Sequence, residues 1–160
     1  MKALSFTQPQ ATLVALGAKR IDTRSWSTGY RGRLAIHASG RITKEGIALC
    51  WQPHVRAALE AAGHVAGSGP RRNPFNLPLG AVLAIATLVD VQRIQSENAP
   101  GEPEYSFGDY TPGRYAWYLE EVYRLPSPIP AKGHLGLFTF HYKANEVYDP
   151  VVDKQASDPP

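Results

Sequence analysis

Within GAKRIDTRSW, residues 17–26, an acid, a guanidinium and an indole occupy every second position: Asp22, Arg24 and Trp26. In an extended chain alternate side chains share one face, about 7 Å apart. The three would therefore converge as an acceptor, a fork of donors and a stacking surface, which is what reading a single-stranded nucleotide demands. Lys19, at the turn into this strand, adds a compact positive charge suited to phosphate. A plainer reading stands beside this one. Arg24 and Asp22 can form an ion pair that only holds the strand, worth about 0–1 kcal/mol where exposed, and a strand Trp is commonly a core residue.

The next stretch, YRGRLAIHAS, carries Tyr30 and Arg31 and then alternates. Leu34, Ile36 and Ala38 are expected to face a core, and Arg33, Ala35, His37 and Ser39 to face away. Residues 1–41 hold seven Lys or Arg against the single acid Asp22, a local charge of +6, while the rest of the chain carries −3. Such polarity is the electrostatic footprint of a phosphate-rich partner. Near the other end, PAKGHLG sets Lys132 and His134 among glycines that would let backbone approach a ligand closely. Other chemistries find no support. The histidines show no H-x-x-x-H or comparable spacing, Cys50 is the only cysteine, and no Walker-type or dinucleotide glycine loop occurs, so no metal or cofactor is expected.

Around these residues the pattern predicts a short helix from Thr7, with Gln10 completing a capping box and Gly17 closing the C-terminus. Strands follow over 21–26 and 33–39. Two helical pieces cover 43–51 and 53–62, the second with Val55, Ala58, Leu59 and Ala62 as its apolar stripe. The Gly- and Pro-dense GHVAGSGPRRNPFNLPLG should be a mobile loop carrying Arg71 and Arg72. GAVLAIATLVDVQRI reads as a strand buried on both sides. After a second loop over about 95–112, RYAWYLEEVYRL alternates as a strand with Trp117 in the core, and GLFTFHY supplies the last strand. One core fits 160 residues. The expected organisation is a single domain over 1–141 and a C-terminal tail, extended or disordered, over 142–160. No apolar run long enough to span a membrane and no signal-peptide pattern is present, so a soluble cytoplasmic protein without membrane partners is expected.

The order LSFTQPQ, GAKRIDTRSW, YRGRLAIHAS, LPLGAVLAIATLVDV, FGDYTPGRYAWYLEEV and PSPIPAKGHLGLF resembles the ASCH domain family over about residues 2–141. The family pattern G-x-K-x-x-E-x-R with a following aromatic is matched by Gly17, Lys19, Arg24 and Trp26. Asp22 stands at the Glu position, one methylene shorter, and Phe138 stands where Trp is frequent. The resemblance implies an α+β fold, a small PUA-like β-barrel flanked by short helices, with the apolar run from Gly80 as a central barrel strand. It also implies binding of single-stranded RNA, or a nucleoside- or nucleotide-sized piece of it, in a basic cleft at the barrel mouth. Asp22, Arg24 and Trp26 would floor that cleft, Tyr30, Arg31, Arg33, His37 and Ser39 would line it, and the loop with Lys132 and His134 would return to it. A rival implication is hydrolysis, since some relatives cleave the amide of acetylcytidine with a Lys, a Thr three residues later and a distant Glu, and ribonuclease activity is also attributed to the family. Lys19 fits that scheme; Asp22 puts a carboxylate where the Thr hydroxyl would be, so either the nucleophile is lost or Asp22 works as a base on water, and the distant Glu has no assigned position. A third implication is a protein-interaction module in transcription regulation.

Overall fold

The computed structural model describes residues 1–143, 147 and 150. Its order is β1 (Lys2–Phe6), α1 (Gln10–Ala15), β2 (Ile21–Arg24), β3 (Gly32–Ala38), α2 (Lys44–Cys50), α3 (Pro53–Ala61), β4 (Ala81–Arg93), β5 (Tyr115–Pro130) and β6 (Leu137–Thr139), with single 3₁₀ turns at Ser96–Asn98 and Glu104–Phe107. The class is α+β, as expected. All but four residues of the expected tail lie outside the described residues.

The strands form one sheet in the order β2-β5-β4-β3-β1-β6. β1 and β3 run parallel, and the other ladders are antiparallel. β4 begins with six consecutive buried residues, which is why its sequence is nearly continuous in apolar side chains. Among the described residues the sheet does not close into the expected barrel. Its edges are too short to ladder together: β2 has four residues, and β6 has three, paired with Lys2–Leu4 of β1 alone. Ser5 and Phe6 therefore run on beyond β6.

The alternation expected of β3 holds on only one of its faces. Leu34, Ile36 and Ala38 pack with Leu4, Phe6, Val14 and Trp117. Ala35 and His37, expected to face away, are 0% and 1% exposed. A second apolar layer of Ala3, Val82, Ile85, Leu125 and Phe140 covers that side, so the middle of the sheet is buried on both faces.

α1 differs at its start. The Thr7–Gln10 capping box is not made and Pro9 is the N-cap. Gln8 does the work instead: its Oε1 accepts from Thr12 N at 3.0 Å, and its Nε2 donates to Thr12 Oγ1 and to Pro78 O. Gly17, at φ +74°, closes the helix as expected, and Leu13 O accepts from the Ala18 and Lys19 amides. The loop read as mobile is pinned, because the Asn73 side chain bonds both N and O of Leu77. Phe75 and Leu77 thereby join Leu13, Val55, Leu59 and Phe107 in a third cluster under α2 and α3. No helix among the described residues is long and apolar enough to cross a membrane.

Candidate functional site

The closure of α1 at Gly17 delivers Lys19 to the start of β2. β2 then pairs with β5, Asp22 opposite Trp117 and Arg24 opposite Tyr115. Lys19 is 1% exposed. Its Nζ donates to Phe107 O at 2.6 Å and stands 3.9 Å from Asp22 Oδ1. Burial lowers its pKa below the ordinary 10.5, with Asp22 and Glu104 opposing the shift. Glu104 is placed by accepting from the Arg20 and Ile21 amides, the latter at 2.8 Å, which also clamps the Glu104–Phe107 turn to the start of β2.

Asp22 is buried and its Oδ2 accepts from Arg24 Nε at 2.7 Å. Arg24 Nη2 donates to Ser5 O at 2.8 Å, on the stretch of β1 that β6 leaves open. The guanidinium carbon lies 5.0 Å from the Phe6 ring, 5.8 Å from Trp117 and 6.0 Å from Trp26, so the cation is held by a carboxylate, a carbonyl and aromatic faces together. Trp26 meets Trp117 edge-on at 4.7 Å, and Trp117 Nε1 donates to the Trp26 carbonyl. Trp26 is only half-buried.

Ser5, Phe6, Lys19, Asp22, Arg24 and Trp26 wall a cleft of about 370 Å³ at the unsealed seam of the sheet, together with Gln10, Thr23, Asp109 and Arg114. Arg114 Nη2 donates to Thr23 O, and its Nε stands 3.5 Å from Asp109 Oδ2. Gln10 Oε1 is buried there without a partner, an acceptor that a bound donor could satisfy. Three cations face two carboxylates around the cleft, so most of its charge is already paired. Among the described residues no group of three His, Cys, Asp or Glu side chains gathers as a metal site would need.

Over 87 residues the chain is 33% identical to Activating signal cointegrator 1 of Mus musculus and 32% identical to that of Homo sapiens. The match takes in 54% of this chain and 14% of each relative, so the chain spans only a small part of those proteins. Among solved structures it is similar to ASCH from Zymomonas mobilis, at 14% identity and a TM-score of 0.49, over 98% of this chain and 93% of that one. A mutant of the same protein aligns at the same score over 98% and 96%. The chain is thus similar to structures named ASCH, the family its sequence resembles. No protein-family profile matches the chain.

The remaining residues that the ASCH pattern suggested are not gathered at this cleft. Tyr30 OH donates to Arg33 O. Arg31 faces Asp90 at 3.4 Å, and Arg33 donates to Thr87 Oγ1 and Glu121 O, both toward β4 and β5. His37 lies in the second apolar layer. Its Nε2 is 2.7 Å from Ala131 O, which can only accept, so in the neutral ring Nδ1 accepts from Ser5 Oγ at 2.9 Å. Gly133 sits on this pair: a Cβ there would come within 2.6 Å of His37 Cε1 and Ser5 Oγ. Lys132 and His134, exposed on either side of Gly133, are carried on that loop, and Ser39 Oγ donates to Phe6 O. Gln10, Asp109 and Arg114 were missed as site residues. The signal available was their place in LSFTQPQ and FGDYTPGR, two of the stretches that carry the resemblance.

Proposed function

We propose that the chain binds single-stranded RNA, or a nucleotide-sized piece of it, in the cleft at the sheet seam. The convergence of Asp22, Arg24 and Trp26 supports this reading: a fixed acceptor and a fixed guanidinium stand beside a half-exposed indole, on which a base can stack. Arg31 and Arg33 do not wall the cleft, so few phosphates are neutralised there. The expected log–log dependence of affinity on salt is about −0.7 for each phosphate contacted in a single strand, and near −0.7 in total for one. Titrating short labelled RNAs by fluorescence anisotropy tests this. Trp26→Leu should weaken binding by about 1–3 kcal/mol, the worth of one stacked base. Equal affinity in that variant overturns the reading.

One observation favours a second reading, hydrolysis of a nucleoside amide. Lys19 is buried in the cleft wall with its pKa lowered, and an amine so perturbed serves as nucleophile or base. For the distant acid of that scheme we propose Glu104, whose charge acts on Lys19 and which the Arg20 and Ile21 amides hold in place. Release of cytidine and acetate from acetylcytidine, lost in Lys19→Met, would decide for it.

A further inference from the structure

On the other side of α1 lies a second cavity, of about 330 Å³, whose chemistry the seam cleft does not share. Its walls include Leu16, Leu83, Leu125 and Pro126, side chains that offer a ligand no hydrogen bond. Two basic side chains, His64 and Arg124, face it, and no acid lines it. His64 owes its position to the C-terminus of α3. Gly63 takes φ +90°, its amide reaches Glu60 O, and the His64 amide reaches Leu59 O, the pattern of a Schellman closure. The ring lies against the backbone of Phe75 and Asn76 and faces Arg124. Arg124, on β5 opposite Ala84, is exposed, and its side chain makes no ion pair or hydrogen bond with the described residues.

From this we infer that the cavity is a binding site for a small organic monoanion: a carboxylate on an apolar body, the carboxylate held by Arg124 beside His64 and the body lying against the leucines. Charge complementarity gives the sign, because every charged or titratable group facing the space is basic. The planar guanidinium matches a carboxylate with two parallel donors. The apolar walls require a body that gains by leaving water. The count of charges favours a monoanion over a dianion: Arg124 is the one permanently charged group lining the cavity, and burial lowers the pKa of His64 beside it, opposed by the Phe75 and Asn76 backbone. The volume stands at the small end of the range for ligand pockets, about 300–1,000 Å³.

The test titrates hexanoate and hexanol separately into the ¹⁵N-labelled chain and follows amide shifts. Hexanoate should move the amides of Thr12, Leu16, Leu83 and Leu125 and leave those of Asp22 and Arg24 in place. Hexanol, with the same body and no charge, should bind at least about tenfold more weakly. Arg124→Gln should weaken hexanoate by about tenfold while leaving hexanol unchanged, and Arg124→Lys should keep part of the preference. Hexanoate shifts that are absent, that fall on the seam cleft, or that persist undiminished in Arg124→Gln would overturn the inference, as would hexanol binding as tightly as hexanoate.

Discussion

Arg24 and the pair Arg31 and Arg33 lie within ten residues of each other and look alike in sequence, yet the fold treats them as opposites. Arg24, on β2, is drawn inward: Asp22 takes its Nε, the Ser5 carbonyl its Nη2, and three aromatic rings surround its carbon. Arg31 and Arg33, at the start of β3, reach outward or sideways to Asp90, Thr87 and Glu121. The lesson is that a run of bases does not by itself mark a phosphate track. Position relative to the apolar layers decides whether a cation becomes part of the frame or part of the solvated surface.

The sharpest way to break this contrast is Asp22→Asn. With Asp22 6% exposed and flanked by Lys19 and Arg24, loss of the carboxylate charge leaves two cations facing an amide, and stability should fall by about 3–5 kcal/mol in urea denaturation. A change below about 1 kcal/mol would place Asp22 with the surface pairs. Next comes the pH dependence of Lys19. Its pKa is lowered in the folded chain, so between that lowered value and 10.5 the unfolded chain holds a proton that the folded chain does not. Stability contributed by this group therefore rises with pH through that window and is flat below it. Lys19→Met should abolish the rise, so the urea midpoint of the parent chain gains on the variant as pH climbs toward 10. Parallel profiles would count against a buried, strained ammonium. The smallest effect is expected on the other arm of the comparison: Arg31→Ala removes a pair that is 39% and 47% exposed, and should change stability by no more than about 1 kcal/mol, less in high salt.

Much of this could be read in the residues before any coordinates. Alternation put Asp22 and Arg24 on one face because strand spacing is local and period two leaves little choice, whereas Trp26, expected on the same strand, joins them from a bend after β2 ends at Arg24. The helices, the core role of Trp117 and the double burial of Ala81–Ala86 were legible because they too rest on local pattern, whereas Val89, Gln92 and Arg93 of the run read as wholly buried are exposed. What escaped was set by distant chain. Gln10, Asp109 and Arg114 meet Thr23 and its neighbours across up to 91 residues, and no period links them. His37 looked solvent-facing because alternation assumes water on one side, whereas Phe138 and the loop at Gly133 cover it. The closed barrel failed on length, since strands of four and three residues cannot supply a closing ladder.

The hydrogen bond from Arg24 to the Ser5 carbonyl carries a consequence for how the protein behaves at high concentration. Where β6 ends its pairing at Leu4, no strand among the described residues continues along that side of β1, and unpaired backbone of this kind recruits strands from other molecules. The guanidinium occupies the acceptor on that edge and fills with a side chain what a seventh strand would otherwise cover. Arg24 thus stands where an edge-to-edge partner strand would dock, with the Ser5 acceptor already taken.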